Sequence, residues 1–387
     1  MRYIGNKTRL LRFIASYLDE LDLRSGRALD AFSGTTAVAR LLKARGFAVA
    51  ACDIMSFSYA FQRAYVVADE CPKFPGLAED SQVQAIKRNP QFQSQVEFRF
   101  GGQGDLFGGI SKRQPLDEIL VYLDTFLEPQ SSFIDGNFAA SESPVEGQRM
   151  YFSRQNAQRI DAIRHKLEDW RSAGLVTEEE FFVLLSALLE AADSVANTAG
   201  VYAAFVKAWQ GNAVRPLRLK VPDMVVGTGL KCVAHRGDVV ELVRDLGHVD
   251  LLYLDPPYNT RQYSAYYHVP ELIAEGWFGA EPPTLRGKTG LIEDSHKKSD
   301  WSTREGCVPA LEQLLDAVDA THVLLSYNNE GIIPENEIER SFRQYGVAST
   351  YRRVGREYKR YRADRDSEAR QYSGDQVTEY LYYVKLR

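Results

Sequence analysis

A carboxylate, two prolines and an aromatic ring follow directly on an apolar segment in the second half of the chain. Asp255, Pro256, Pro257 and Tyr258 come immediately after the run VDLLYL at residues 249–254. The apolar run predicts a buried strand, and the prolines end it because they cannot donate to a strand ladder. Ligands of open α/β sheets bind at the carboxyl ends of the strands. We therefore predict a binding site here, although a capped strand followed by a rigid turn is the alternative.

This group suits the chemistry of an amine attached to an aromatic ring. The Asp255 carboxylate can accept one N–H of the amine, and the Pro256 carbonyl can accept the other. Both hydrogen bonds draw the nitrogen out of conjugation with its ring and expose its lone pair, while Tyr258 stacks on the ring. The nitrogen can then attack a methyl group held in line on a sulfonium, with positioning and electrostatics supplying most of the rate. This chemistry requires neither a metal nor a covalent intermediate.

A βαβ unit near the start of the chain predicts a second part of the site. A strand ending at Asp30 is followed by the loop FSGT at 32–35, a helix to Gly46 and a strand at 48–53 that ends in Asp53. The two acids are separated by close to the ~20 residues at which the second acid meets a ribose hydroxyl. The phosphate fingerprint GxGxxG is missing, which disfavours a nicotinamide oxidoreductase. A strand-end acid suits a cationic group, which favours S-adenosylmethionine with its ammonium.

Four acids are predicted to share one edge of the sheet. Asp30, Asp53, Asp238 and Asp255 each stand at or just after a predicted strand. If the strands are parallel, their carboxyl ends meet at the same edge, and the acids repel one another unless each finds a donor. Structural capping explains any one of these acids, but it explains the set less well than a ligand rich in N–H and O–H groups.

Composition restricts the class of protein. The chain has 387 residues, 44% of them hydrophobic, and a formal net charge of −5. It contains no apolar run of about 18 residues, which disfavours a transmembrane helix, and its basic N-terminal segment lacks the apolar stretch of a signal peptide. The four cysteines and six histidines are scattered, so we expect a reducing, cytoplasmic environment and no metal site.

Basic residues concentrate in two segments of this acidic chain. Residues 1–12 contain four Arg and Lys and no acid, and residues 351–370 contain eight Arg and Lys against four acids, interleaved with tyrosines. Such segments suit contact with a phosphate backbone, although a solvated tail with local ion pairs is the alternative. We predict DNA contacts from these two segments and from the stretch after Tyr258, at Arg2, Arg9, Arg261, Arg353, Arg356, Lys359, Arg360 and Arg362.

The composition between residues 66 and 175 differs from the α/β pattern on either side. Pro, Gly, Gln and Ser become frequent there, and we predict an inserted, mainly helical target-recognition region at 66–175. The catalytic domain is predicted to comprise residues 1–65 and 176–387. Further helices are predicted at 153–170, at 177–195 and in the segment approaching Trp209. Additional strands are predicted at 230–234, 321–327 and 378–386.

Together these residues resemble the Dam-like DNA adenine-N6 methyltransferases, which include partners of restriction systems. The resemblance covers most of the chain. It rests on RYIGNK at 2–7, DAFSGT at 30–35, Asp53, GD at 237–238, DPPY followed by NTRQY at 255–263, and LSYNNEG at 325–331. The resemblance implies a Rossmann-like S-adenosylmethionine-dependent methyltransferase sheet with helices on both faces. It also implies methyl transfer to N6 of an adenine, which must be flipped out of duplex DNA to be reached.

The resemblance also implies a role for each matching residue. Tyr3, Gly5 and Lys7 line the cofactor or grip the DNA. The methionine part of the cofactor is held by Asp30, Phe32, Gly34 and Thr35. Asp53 binds the ribose, and Asp238 binds the adenine end. Asp255 belongs to both the cofactor-binding and the catalytic residues, and Asp255, Pro256, Pro257 and Tyr258 hold the target adenine. Arg261, Tyr263 and His268 contact the flipped base or the backbone, or serve a structural role.

Other functions remain open at this point. The same chemistry fits methylation of cytosine N4, of RNA or of a protein amide, and an acid at the first motif position favours adenine only by resemblance. A non-catalytic DNA-binding specificity module is a different class, which the intact Asp255 and glycine loop disfavour. We expect double-stranded DNA as the partner, a monomeric enzyme and a cognate restriction endonuclease; the DNA sequence recognised is not predicted.

Overall fold

Within the described residues, the apolar segments form a seven-stranded sheet. The structure is a computed structural model that describes residues 1–78, 80–100, 114–141, 143–292, 297–359 and 376–386. The strands are β1 (Gly26–Asp30), β2 (Phe47–Asp53), β3 (Val233–Arg236), β4 (Val249–Leu254), β5 (Ala320–Asn328), β6 (Arg352–Lys359) and β7 (Gln376–Lys385). Their order across the sheet is β6-β7-β5-β4-β1-β2-β3. Strand β7 is antiparallel to β5 and β6, and the remaining pairs are parallel.

Helices occupy most of the connections between these strands. The α-helices are α1 (Leu11–Glu20), α2 (Ala37–Ala44), α3 (Ser56–Phe61), α4 (Ser81–Lys87), α5 (Pro90–Phe100), α6 (Pro115–Val121), α7 (Phe133–Phe138), α8 (Arg154–Ser172), α9 (Glu178–Ser194), α10 (Val239–Leu246), α11 (Tyr263–Tyr266), α12 (His268–Glu275), α13 (Cys307–Ala317) and α14 (Glu335–Tyr345). Short 3-10 turns lie at Lys7–Arg9, Pro75–Ala78, Asp300–Ser302 and Ala348–Thr350, and π turns lie at Gln62–Val67 and Tyr122–Phe126. Two-residue strands pair at Ala139–Ala140 with Phe152–Ser153 and at Leu285–Arg286 with Leu291–Ile292.

The central strand β4 is buried on both faces. Leu252 and Leu254 pack in a cluster with residues of α10, α13 and α14. Leu251 and Tyr253 point the other way and join the cluster that contains residues of α1, α2 and α9. Successive side chains of a strand point to opposite faces, so the continuous apolar run is required when helices cover both. The prediction of an α/β class with a mostly parallel sheet is confirmed.

The predicted insertion at 66–175 is mainly helical where it is described. It contains α4 to α8, and its buried side chains Phe92, Leu116 and Trp170 belong to the same cluster as the sheet residue Ala28. Helix α9 begins after a capping box between Thr177 and Glu180, as predicted. The helices of residues 66–175 therefore share one continuous apolar core with that face of the sheet.

The predicted helix approaching Trp209 is wrong. Residues 195–232 form turns and irregular loop, and the buried side chain of Asn197 organises them. Its Nδ2 donates to the carbonyls of Met150 and Val206, and its Oδ1 accepts from the amide of Gln210. An amide side chain that satisfies backbone groups in this way competes with helical hydrogen bonding.

One strand prediction near a sheet edge needs correction, and one edge strand was not predicted. The predicted strand at 230–234 is β3, Val233–Arg236, which lies at the edge and pairs only with β2. The basic segment from residue 351 begins as β6, which pairs with β7 along eight residues, instead of as a tail.

In the described ranges, no helix combines the length and the apolar character needed to cross a membrane. Over the same ranges, His, Cys, Asp and Glu side chains form no group of three or more that could hold a metal ion.

Candidate active site

The carboxyl ends of β1, β2 and β4 bring the predicted acids to one edge of the sheet. Strand β1 lies between the other two, with Asp30 in register with Ala51 of β2 and Tyr253 of β4. Asp53 ends β2, and Asp255 follows β4 directly. The acids are therefore close neighbours, as the motif order predicted for a parallel sheet.

A buried lysine from the N-terminal turn reaches Asp255. Lys7 is only 3% exposed, and its Nζ lies 3.0 Å from Asp255 Oδ1 and 2.7 Å from Glu379 Oε1. Nζ also donates to the Tyr258 hydroxyl. That hydroxyl in turn lies 2.7 Å from Asp255 Oδ1 and 3.0 Å from Glu379 Oε1. Lys7, Asp255, Tyr258 and Glu379 form a closed set of polar contacts, which we call the Lys7 network.

Glu379 is a member of this network that sequence reasoning missed. It lies on β7 between the inward-facing Val377 and Leu381 and is 1% exposed. Its Oε1 also accepts from Ser326 Oγ of β5 at 2.6 Å, whereas its Oε2 has no hydrogen-bond partner. The available signal was a lone acid at an inward position of an otherwise apolar, alternating strand.

Burial and neighbouring charge shift the pKa values of the Lys7 network. Burial raises the pKa of Asp255 to about 6; the Lys7 ammonium opposes this rise, and Glu379 adds to it. Burial lowers the pKa of Lys7, but Asp255 and Glu379 outweigh it and hold the pKa above its usual value. Burial, then Asp255, raises the pKa of Tyr258 well above its usual value. At neutral pH the site therefore presents a carboxylate, an ammonium and a neutral phenol.

Two glycines allow the N-terminal turn to approach the site. Gly5 has φ +79°, and a Cβ atom there would stand 3.0 Å from Cε2 of Tyr258. Gly34 has φ +48°, and a Cβ atom there would stand 2.7 Å from Cε1 of Tyr3. Both residues need the conformational freedom of glycine as well as its lack of a side chain.

Asp30 and Asp53 occupy different environments. Asp53 Oδ2 accepts from the Gly34 amide and Oδ1 from the Met55 amide, both at 2.9 Å. Burial raises the pKa of Asp53 to about 6 against these two hydrogen bonds. Asp30 is 1% exposed and its Oδ1 has no hydrogen-bond partner. Burial, then Asp255 and Asp53, raises the pKa of Asp30 to about 8.

The predicted cofactor and catalytic residues gather around two adjoining cavities. A cleft is lined by Tyr3, Gly5, Phe32, Asp53, Asp238, Asp255, Pro257 and Tyr258 among others. A neighbouring cavity is lined by Gly5, Lys7, Asp30, Phe32, Gly34, Thr35 and Asp255 among others. Asp238 also caps α10 by accepting from the Val240 amide. Pro256 is buried between its two neighbours and lines neither cavity.

The long connection after Tyr258 supplies cleft residues that the motifs did not indicate. Trp301 packs edge-to-face on Phe32 with ring centroids 4.9 Å apart. Ser302 is buried, lines the cleft, and has a hydroxyl without a hydrogen-bond partner. Tyr263 also lines the cleft, whereas His268 is buried with its ring nitrogens at the carbonyls of Ala265 and Thr289. The structure therefore gives His268 a structural role.

Arg2 does not present its guanidinium for DNA contact. It donates to the carboxylate of Asp193 and to the carbonyls of Asp193, Ala196 and Thr198. These contacts use the guanidinium to join the N-terminus to the end of α9. The prediction of a DNA-contacting role for Arg2 is therefore corrected to a structural one.

The other predicted DNA-contacting residues lie apart from the cleft-lining set. Arg9 and Arg356 are exposed, and the Arg356 guanidinium stands over the ring of Phe13. Arg353 pairs with Glu335 and stands over the ring of Tyr380. Arg261 is exposed near the ring of Tyr266. Lys359 is placed only as the last residue of β6, and Arg360 and Arg362 lie outside the described residues.

Comparison with known proteins identifies the family of this chain. The family model for D12 class N6 adenine-specific DNA methyltransferases matches residues 3–339. The chain is 30% identical to the type II methyltransferase M.NlaIII of Neisseria lactamica, covering 100% of this chain and 99% of that protein. It is 32% identical to the modification methylase StsI of Streptococcus sanguinis and 30% identical to the type II methyltransferase M.FokI of Planomicrobium okeanokoites.

The lengths of these relatives differ. The chain spans 52% of StsI and 52% of M.FokI, about half of each, although all of it is covered in both alignments. No solved structure matches the chain. The family match covers the DPPY segment and the glycine loop together, which confirms the resemblance drawn from those motifs. This chain belongs to the D12 class of N6 adenine-specific DNA methyltransferases.

Proposed function

We propose that this chain transfers a methyl group from S-adenosylmethionine to N6 of an adenine flipped out of a specific duplex DNA sequence. The observation that carries the proposal is the Asp255 carboxylate. It lies at the end of a central strand, beside the cleft, and its described hydrogen bonds come from a lysine and a tyrosine. An acceptor in this position fits the amine of an adenine ring.

The residues around Asp30 fit S-adenosylmethionine. Asp30 Oδ1 is buried and has no partner, so an ammonium group at this position satisfies it. Phe32, Gly34 and Thr35 would hold the methionine part of the cofactor around this ammonium group. Asp53 would bind the ribose through the carboxylate lone pairs that are not used by its hydrogen bonds from the Gly34 and Met55 amides. Asp238 would bind the adenine end, with Tyr3, Gly5 and Lys7 bordering the sulfonium. The bound cofactor supplies an electrophilic methyl group.

Asp255 and the carbonyl of Pro256 would hold the target amine. Each accepts one N–H, which orients the nitrogen lone pair toward the methyl group, and Tyr258 borders the same space. As the nitrogen–methyl bond forms, positive charge develops on the nitrogen, and the ionised Asp255 stabilises it. The amine would then release a proton to solvent, and the cofactor, when bound, would supply the methyl group and act as the leaving group. Asp255 is 14% exposed in its side chain, so a base within a duplex must be extruded to reach it.

DNA would bind across the edge of the sheet that carries the cleft. We assign phosphate contacts to the predicted basic residues other than Arg2, which are Arg9, Arg261, Arg353, Arg356, Lys359, Arg360 and Arg362. Residues 66–175 would form the target-recognition region, with residues 1–65 and 176–387 as the catalytic domain. The sequence that this region selects is set by base contacts, not by the phosphate contacts.

The biological setting that we propose is supported by the relatives, which are named type II methyltransferases and modification methylases. We assign this chain the same modification role, acting as a monomer in the cytoplasm beside a cognate restriction endonuclease. Methylation of DNA from cells that express the chain should block cleavage by that nuclease at the shared site.

Transfer of tritiated methyl from S-adenosylmethionine tests this function. Duplex DNA should become labelled, and mass spectrometry of its nucleosides should show N6-methyladenine. Asp255→Ala should abolish transfer while leaving cofactor affinity, measured by calorimetry, largely intact. Asp245→Ala, on the exposed face of α10, is the matched control and should transfer at the wild-type rate. Label found only in RNA, protein or N4-methylcytosine would contradict the assignment, as would an active Asp255→Ala variant.

A further inference from the structure

Two carboxylates, from different strands, share the Lys7 ammonium. Its Nζ lies 2.7 Å from Glu379 and 3.0 Å from Asp255, so Glu379 is the closer partner. We propose that Glu379 is a positioning residue for methyl transfer, which retains Lys7 and the Tyr258 hydroxyl when Asp255 exchanges them for the target amine. The proposal rests on the proposed function, because it assigns a step to the same site.

The two carboxylates of the Lys7 network differ in their access to the cleft. Asp255 lines the cleft, and its side chain is 14% exposed. Glu379 lines neither adjoining cavity, and its side chain is 1% exposed. Only Asp255 can therefore meet an incoming base. Glu379 can act on the reaction only through Lys7 and Tyr258.

Glu379 has spare capacity to accept hydrogen bonds. Its Oε1 receives Lys7, Tyr258 and Ser326, whereas its Oε2 is buried without a partner. An unpaired carboxylate oxygen in this position is costly unless a donor reaches it during the reaction cycle. When an amine N–H takes the place of Lys7 at Asp255, the ammonium can use this second oxygen of Glu379. The exchange then leaves no buried donor unsatisfied.

The charges in the network favour the same division of roles. With Lys7 held by Glu379, Asp255 keeps its negative charge for the amine and for the positive charge that develops on it. Without Glu379, Lys7 would pair with Asp255 alone, and the amine would compete with a full ammonium for the same oxygen. The Glu379 charge also raises the pKa of Asp255, so its loss should lower that pKa.

The position of Glu379 in the sheet makes it a rigid support. It is in register with Asn328 of β5 on one side and with Arg356 of β6 on the other. Because β7 is antiparallel, a residue near its beginning lies at the edge where the parallel strands end. The titratable groups that face Glu379 from neighbouring elements are Lys7, Tyr253, Asp255 and Tyr258, and Tyr382 of β7 itself also interacts with it electrostatically.

The test is Glu379→Gln, which keeps the shape of the side chain and removes its charge. We expect kcat to fall on the order of 10²-fold, while KM for DNA and affinity for S-adenosylmethionine change little. The acid limb of the kcat–pH profile should move to lower pH, because Asp255 ionises more easily. Glu379→Asp keeps the charge and should keep the acid limb in place, with a partial recovery of kcat. Glu241→Gln, an exposed change on α10, is the matched control.

Three outcomes separate the possibilities. A wild-type protein that methylates no adenine overturns the proposed function itself. An active wild type with an unchanged kcat and pH profile in Glu379→Gln overturns the positioning role alone. A loss of kcat accompanied by equal losses of cofactor affinity and thermal stability, with no movement of the acid limb, shows that Glu379 is only structural.

Combining Glu379→Gln with Lys7→Met should lower kcat little beyond the effect of Lys7→Met alone, because Glu379 acts through Lys7.

Discussion

The ring of Tyr3 lies directly on Gly34, at a distance that leaves no room for a side chain. A Cβ atom at residue 34 would stand 2.7 Å from Tyr3 Cε1, and the backbone there has φ +48°. The contact joins the N-terminal turn, which carries Lys7, to the loop that follows β1. Any change that separates the two disturbs both the Lys7 network and the proposed cofactor site.

Gly34→Ala should therefore lower both cofactor affinity and stability. Alanine at a positive φ is strained, and its methyl group must displace the Tyr3 ring, so we expect a loss of about 1–3 kcal/mol in the free energy of unfolding. Gly147→Ala is the matched control, because Gly147 has φ +92° but no atom within 4 Å of an added Cβ. Denaturant unfolding and calorimetric titration should show a larger loss for Gly34→Ala. Equal losses in the two variants would remove the role given to the Tyr3 contact.

Lys7→Met should shift the pH dependence of methyl transfer in the opposite direction to Glu379→Gln. The Lys7 ammonium holds the pKa of Asp255 down against burial, so its loss should raise that pKa above about 6. The carboxylate is then lost at higher pH, and the acid limb of kcat/KM should move upward. We expect activity at neutral pH to fall on the order of 10²-fold. An acid limb that stays in place would show that Lys7 does not control the ionisation of Asp255.

Binding of S-adenosylmethionine should release a proton at Asp30. The pKa of Asp30 is about 8 without a ligand, so the group is mostly protonated at pH 7. An ammonium group beside it favours the ionised form and lowers the pKa. Calorimetric titrations at pH 7 in two buffers of different ionisation enthalpy should report this proton, and Asp30→Asn should lose it together with most of the affinity. Identical heats in both buffers would contradict the assignment.

Asp30 should also make the ligand-free protein less stable as pH rises. Its folded-state pKa is raised from 3.8 to about 8, so between these values the folded state holds a proton that the unfolded state has lost. The stabilising contribution is complete below the unfolded pKa and is lost as pH rises through the folded pKa. The Tm of the wild type should fall between about pH 4 and pH 8 more steeply than that of Asp30→Asn. If the Tm of the wild type and of Asp30→Asn changed with pH in parallel, Asp30 would not be the group with the raised pKa.

Salt dependence should separate the exposed arginines from Arg2. Replacing Arg9 and Arg356 with Gln should reduce the slope of log K against log salt by about 0.9 for each phosphate that is no longer neutralised. Arg2→Gln should leave that slope unchanged and instead lower stability, because it removes the partner of Asp193, whose side chain is 5% exposed. Filter binding of duplex DNA over a range of salt concentrations measures the slope. If Arg9→Gln and Arg356→Gln left the slope unchanged, these residues would be solvated surface residues that do not contact the DNA backbone.

Local patterns predicted those parts of the fold that local chemistry determines. The uninterrupted apolar run before Asp255 predicted β4 because a strand covered on both faces must be apolar at every position. Thr177 and Glu180 predicted the start of α9 because each satisfies a backbone donor of the other. Asp30, Asp53 and Asp255 were expected to repel one another at one edge, and the raised pKa of Asp30 shows this repulsion by Asp255 and Asp53 alongside burial. The pKa values of Asp53 and Asp255 are raised chiefly by burial, with Glu271 and Glu379 respectively as the neighbouring acids.

The missed features depend on contacts between distant segments. The arginines of β6 hide its strand pattern, which becomes evident only through its pairing with β7. Glu379 is an ordinary acid in the sequence until the sheet places it beside Lys7. Arg2 resembled a DNA contact because its sequence neighbourhood is basic, whereas its partner Asp193 lies at the end of α9. The sequence indicated the candidate site residues, but it did not indicate the contacts between distant residues, such as Lys7 with Glu379, that hold them in place.

The contact between Lys7 and Glu379 has a consequence for synthesis of the protein. It joins the first 3-10 turn of the chain to the last strand of the sheet, so the Lys7 network cannot close until β7 has left the ribosome. Nascent chains that already carry the glycine loop and the DPPY segment contain Lys7 but still lack Glu379, its closer partner. Full methylation activity is therefore expected only after translation has passed residue 379, and two fragments divided anywhere between these residues should need to reassemble to reach it.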